Sequence, residues 1–277
     1  MSSLRAARAS QTRSGSHRRQ RRVLAASALI LTGVAGVVAV EAVLGFRGGS
    51  APEPAGSPDG LIGEGDQSPL VLVVLGDSTG VAVGATDVDH GYPRLVAGAL
   101  AAAAHRPVQL HVLSVSGARV ADVLNQQLAR VAGLAPDMVL LVVGGNDVVH
   151  LTRGRAARRD LRSLIRACSA TGASVVVAGV PAMGTTRRVA GPLRSLIRLV
   201  EHRLDRVWRE ETSAADAVRV ELARETGPAF AADGTLFSGD LFHPSDKGYA
   251  LWARVLEGGV LRARAARSSP RRRPGVP

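Results

Sequence analysis

The stretch Val71-Leu72-Val73-Val74-Leu75-Gly76-Asp77-Ser78 decides the reading of this chain. Five consecutive aliphatic residues leave no polar face, so the segment reads as a strand buried on both sides, the signature of a parallel sheet. It breaks at once into Gly-Asp-Ser, a turn carrying a hydroxyl. Similar apolar runs recur downstream at Val108–Leu113, Met138–Val143, Ser174–Gly179 and Ala217–Leu222. Helical periodicity near 91–104, 119–132, 155–171, 190–212 and 245–257 separates or follows them. Alternating strand and helix at this spacing predicts a three-layer α/β/α sandwich around a five-stranded parallel sheet, with any site at the carboxyl ends of the strands.

Outward from this domain, expected over 70–261, the composition changes. Residues 1–22 hold seven Arg and no acid, and residues 262–277 hold six Arg and no acid. Those thirteen charges exceed the net charge of +12 by one, so residues 23–261 carry −1. The basic character sits in two tails and the globular part is nearly neutral, which argues against nucleic acid as a partner. Val23 to Phe46 holds one charge, Glu41. At ~1.5 Å per residue it reaches ~36 Å as a helix, enough to cross a ~30 Å hydrocarbon core. The arginines before it favour the N-terminus inside and the domain outside the cytoplasm, on a transmembrane signal anchor or, alternatively, after a cleaved signal. Residues 47–69, rich in Gly, Pro, Ser and acids, read as a flexible linker, and 262–277 as a disordered tail. The single cysteine, Cys168, excludes an internal disulfide. With Leu161, Leu164 and Ile165 it falls on one helix face and reads as core.

Four polar islands lie where this fold places a site. Gly76-Asp77-Ser78 follows the first strand, Ser116-Gly117-Ala118 the second and Gly144-Gly145-Asn146-Asp147 the third. Asp240-Leu241-Phe242-His243-Pro244 precedes the last helix. A serine hydroxyl is a weak nucleophile until a base takes its proton. His243 suits that task, because imidazole accepts and returns a proton near neutral pH. Asp240, three residues before it, reaches the other ring nitrogen if the segment makes a helical turn. Pro244 favours an extended His243 and can open the final helix. A dinucleotide fingerprint is excluded: the glycines at 76, 80 and 84 have the wrong spacing, and strand two ends without an acid. Asp87, Asp89 and His90 lack a second suitably spaced histidine and read as a solvated loop, not a metal site. Nothing requires a cofactor.

In these four blocks, and across roughly residues 70–258, the chain resembles an SGNH hydrolase of the GDSL esterase/lipase family, with its flavodoxin-like fold. The family's Ser, Gly, Asn and His match Ser78, Gly117, Asn146 and His243 in order, and Asp240 matches the acid of its Asp-x-x-His. Val180-Pro181-Ala182-Met183-Gly184 and Gly248-Tyr249-Ala250-Leu251-Trp252 resemble actinobacterial members. Thr79 stands where the family name has Leu. The resemblance implies acyl transfer to Ser78, activated by His243 and Asp240. The oxyanion donors are then Ser78 N–H, Gly117 N–H and the Asn146 amide. Asp77 and Asp147 are read as supports that orient their turns through backbone hydrogen bonds. A carboxylic ester of a lipid or a short to medium acyl group is the expected substrate. O-acetylated envelope glycan is the alternative, and a degenerate binding module is the rival from another class. The segments 81–93 and 181–192 are the expected rims, with Val81, Val83, Met183 and Phe242 as candidate apolar wall.

Overall fold

The structure is a computed structural model that describes residues 49–215 and 217–268. The expected anchor and the basic segment before it lie outside the described residues, as do residues 269–277. No helix among the described residues is long and apolar enough to cross a membrane.

Six strands form one sheet: β1 (Gly60–Ile62), β2 (Leu70–Gly76), β3 (Val108–Val112), β4 (Met138–Val142), β5 (Ser174–Ala178) and β6 (Val218–Val220). Their spatial order is β1-β3-β2-β4-β5-β6. The five expected strands are all present and mutually parallel. The sixth, β1, pairs antiparallel with β3, with Gly60 opposite Leu110. It falls inside the segment expected to be a free linker. Three residues headed by a glycine give no periodicity to read, and pairing with β3 is what orders them.

Helices cover both faces. On one lie α1 (Tyr92–Ala104), α5 (Leu222–Ala232) and α6 (Asp246–Ser268). They pack on Leu72, Val74, Leu110, Leu140, Val142 and Val176. On the other lie α3 (Gly154–Ala170) and α4 (Gly191–Ala214), against Val73, Leu75, Val139, Leu141, Val175 and Val177. Alternate residues of each strand thus enter different cores, as the pleat requires. Burying each such side chain stabilises the fold by roughly 1.5–3 kcal/mol. Cys168 is fully buried in the α3 face, and burial pushes its thiol up to about 12. Glu211 of α4 joins the two helices on that side, its side chain buried and paired with Arg158 at 2.8 Å and Arg162 at 2.7 Å.

Two helical stretches depart from expectation. The last helix continues to Ser268, so residues 262–268 belong to the domain, with Ala263 buried. The stretch 119–132 is not a regular helix: one α-turn at Val120–Asp122 passes into a π-turn at Val123–Gln127 and then 3-10 turns to Leu134. The π-turn ends at Gln127, a polar side chain turned into the core to bond the end of β2.

Candidate active site

Strand β2 delivers Gly76 to the sheet end, where its N–H donates to Gln127 Oε1 at 3.0 Å and its carbonyl accepts from Gln127 Nε2 at 2.7 Å. This two-point clamp holds the backbone two residues before Ser78. Asp77 then turns inward, and its Oδ1 accepts from Thr79 N (3.0 Å) and Thr79 Oγ1 (2.8 Å). Burial raises the Asp77 carboxyl above its ordinary range, against the lowering effect of the two Thr79 bonds. The threonine that departs from the family name therefore caps the acid of its own turn.

Ser78 Oγ lies 3.0 Å from His243 Nε2, and His243 Nδ1 lies 2.6 Å from Asp240 Oδ2. A carboxylate can only accept, so Nδ1 carries the proton and Nε2 is left to accept from the serine hydroxyl. Asp240 has five donors. Ser238 Oγ, Phe242 N and His243 N reach Oδ1, each at 2.9 Å. His243 Nδ1 and Ala51 N, the latter at 2.8 Å, reach Oδ2. Burial works to raise this carboxyl, but the combined donors outweigh it and hold Asp240 well below the usual carboxylate range.

The segment from Asp240 to His243 is an irregular turn, not the helical turn expected from the spacing. Asp240 captures the amides of Phe242 and His243 that a helix would use otherwise. Leu241 takes a positive φ of 59°, and Ser238 N bonds His243 O at 2.8 Å. Pro244 bridges to Phe237, and α6 begins two residues later, at Asp246.

Strand β4 ends in Gly144, whose φ of 132° turns the chain sharply into α2 (Gly145–Val149). That turn presents Asn146 to the cleft, where its Nδ2 donates to Ala118 O at 3.1 Å. The second amide hydrogen of Asn146 remains for the cleft. Gly117 has a φ of 81° and stands on the exposed turn that Asn146 grips, not among the residues lining the cleft. Asp147 faces away from the cleft, fully buried, and its Oδ2 accepts from Val120 N at 3.0 Å. Burial lifts its carboxyl to about 6, and the Val120 N–H only partly offsets this.

The cleft above Ser78 and His243 is narrow, leaving about 50 Å³ to the centres of water-sized molecules. Met183, Phe230, Phe237, Phe242 and Trp252 line it together with Pro181, Ala182 and Pro244. Of the four expected wall residues, Met183 and Phe242 take part. Val83 is instead buried beneath, where its carbonyl accepts from Tyr249 OH at 2.6 Å. Phe230 and Trp252 were not among the expected wall residues, because on α5 and α6 they look like ordinary core. Gln127 was missed too. Its one signal is a glutamine on the apolar stripe Val120, Val123, Val131. Among the described residues no group of three or more His, Cys, Asp or Glu side chains is arranged to hold a metal ion.

Residues 74–251 match the sequence pattern of the GDSL-like lipase/acylhydrolase family. The chain belongs to that family. This GDSL-like chain is 32% identical over 187 residues to a GDSL-like esterase of Mycobacterium tuberculosis, a match covering 67% of the chain and 60% of that relative's length. Among solved structures, an acetyl xylan esterase from Geobacillus stearothermophilus shares its fold with a TM-score of 0.57 at 20% identity, covering 71% of this chain and 94% of that one. Phospholipase A1 from Streptomyces albidoflavus does so with a TM-score of 0.52 at 22% identity, covering 73% and 100%. At such identities the likeness concerns the GDSL fold alone.

Proposed function

We propose that this chain is a serine hydrolase of carboxylic esters that works through an acyl-enzyme on Ser78. The observation carrying the reading is the aligned chain Ser78 Oγ, His243, Asp240, with steps of 3.0 and 2.6 Å. His243 Nε2 takes the serine proton as Oγ attacks the ester carbonyl. Asp240 holds the ring in the tautomer that permits this and stabilises the imidazolium. The oxyanion is met by the Ser78 N–H and the free amide hydrogen of Asn146, with the Gly117 N–H, on the turn beside the cleft, as the third donor that the family resemblance implies; losing one such donor costs roughly 2.7–4 kcal/mol. The imidazolium returns its proton to the leaving alcohol. Water, deprotonated by the same nitrogen, then releases the acid. Asp77 and Asp147 act as supports for the two turns and do not touch the reacting atoms.

The cleft favours a short to medium acyl group over acetylated glycan. Much of its wall is aromatic or aliphatic, the hydroxyls of Thr185, Thr186 and Thr226 on it already donate to backbone carbonyls, and apart from Asp77 and His243 no lining side chain is ionisable. A sugar would leave many hydroxyls without partners there. The proposed setting is outside the cytoplasm, on the anchor that the run 23–46 supplies; the support for this is the sequence alone.

The test is hydrolysis of p-nitrophenyl esters of rising acyl length beside acetylated xylan, for the full-length chain and Ser78→Ala. The expected result is activity peaking on acyl chains of a few carbons, lost in Ser78→Ala together with labelling by a fluorophosphonate. Undiminished turnover in Ser78→Ala would sink the mechanism. A preference for the glycan would sink the acyl assignment. For the anchor, release of the chain from membranes by alkaline carbonate is the opposing result.

A further inference from the structure

We propose that residues 49–52 form a strap that positions Asp240, with the Ala51 N–H as its working contact. Four of the five donors to Asp240 come from the turn 238–243, and three of them, Ser238 Oγ, Phe242 N and His243 N, reach Oδ1. They fix one oxygen and leave the carboxylate free to tilt about it. The other oxygen, the one facing the imidazole, is shared between His243 Nδ1 and Ala51 N. The backbone amide of a residue 189 positions away therefore fixes the plane in which Asp240 meets the ring. That residue lies before the family-matched region, which begins at residue 74.

The strap is held along its length. Arg188 Nη2 donates to Gly49 O at 3.3 Å, beside Phe242, whose ring centroid lies 6.0 Å from the guanidinium. Pro52 O accepts from Gly84 N at 3.4 Å. Gly84 belongs to the turn packed on His243 and Pro244. Further on, Asp59 Oδ1 accepts from Val112 N at 2.7 Å, and β1 zips onto β3. Pro52 restricts Ala51 to extended backbone. Beside this segment the Asp240 side chain is 4% exposed, which preserves the strength of its charge on the imidazole. Ala51 does not border the substrate cleft, so its effect passes through Asp240 alone.

The activity arm of the test rests on the serine-esterase reading, and a spectroscopic arm does not. The full-length chain is compared with Ala51→Pro, which deletes the N–H, and with Ala51→Ser, which keeps it. Ala51→Pro is expected to lower kcat on a p-nitrophenyl ester about tenfold with KM within about twofold, and Ala51→Ser to restore kcat to within about threefold. By proton NMR, the downfield Nδ1–H of His243 is assigned by its loss in His243→Gln. It is expected to shift or broaden in Ala51→Pro and to stay in place in Ala51→Ser. Should Ala51→Pro not fold, Pro52→Gly loosens the strap and is expected to lower kcat about threefold and to broaden the same resonance. An unmoved resonance with unchanged kcat in the folded variant overturns the strap. So does equal loss in Ala51→Ser, or a fall confined to KM. A wild-type chain without esterase activity, whose resonance nonetheless responds to Ala51→Pro, removes the esterase reading and leaves the strap standing.

Discussion

Replacing Asp240 by Asn removes one charge and almost no volume, so its effect isolates what the carboxylate does. Five donors converge on two oxygens, three on Oδ1 and two on Oδ2. An asparagine has one oxygen, and its amide must face one of the two sets. With oxygen on the three-donor side, the NH2 group meets both Ala51 N–H and the imidazole. The ring escapes by moving its proton to Nε2, and it then no longer accepts from Ser78. The expected loss in kcat is about 10³–10⁴-fold, or roughly 4–5.5 kcal/mol of transition-state stabilisation. Folding should suffer as well. Two bonds to a buried charge are replaced by poor ones, for about 2–4 kcal/mol and a fall in Tm of roughly 5–12 °C. The sign of the pH dependence follows from the direction of the shift. Asp240 sits below its unfolded value, so its contribution is fully present above pH ~4 and fades as pH falls below that toward the folded value. The Tm gap between wild type and Asp240→Asn should therefore be widest near pH 7 and narrow toward pH 3. Steady-state kinetics from pH 6 to 9 and thermal melts from pH 3 to 8 measure both. A loss under tenfold, or a Tm gap that does not change with pH, would refute the reasoning.

Two other substitutions probe the supports. Gly84 has a φ of 94°, and a Cβ there meets Pro244 O at 2.7 Å and His243 Cβ at 2.9 Å. Gly84→Ala should cost about 2–4 kcal/mol from overpacking and backbone strain and displace His243, so that kcat falls well beyond what Tm suggests; a melt within about 2 °C of wild type contradicts it. Asp147 is buried with its carboxyl lifted to about 6. From an ordinary value of 3.8 this destabilises the charged form on the order of 3 kcal/mol above pH 6, an effect that vanishes below pH ~4. Asp147→Asn should accordingly raise Tm at pH 8 relative to wild type and lose that advantage at pH 4, as calorimetry can read.

The sheet was legible because parallel strands buried on both faces need continuous aliphatic runs, and Val71–Leu75 and Met138–Val143 supply them without ambiguity. The site blocks were legible for a related reason: a parallel sheet places the residues after each strand at one edge, so Ser78, Gly117 and Asn146 had to be near neighbours. The geometry joining Asp240 to His243 was harder, since the spacing of three suggested a helix and the carboxylate's own capture of amides made a turn instead. Gln127 and Ala51 act across 51 and 189 positions. A glutamine on an apolar stripe left a faint trace. A backbone N–H left none, because every residue but proline carries one and its side chain does not announce where it points. The strand β1 was hidden in the same way, its order supplied by its neighbour and not by its own three residues.

The far end of α6 has a practical consequence. Arg267 donates to Asp137 O and Gly172 O, which precede β4 and β5. The domain therefore releases its C-terminal chain at the base of the sheet, while the strap enters at the rim beside Asp240. A surface, resin or fused protein attached beyond residue 268 would hold the domain upright with its cleft facing solution. The same attachment made just before residue 49 would instead pull on the strap that meets Asp240.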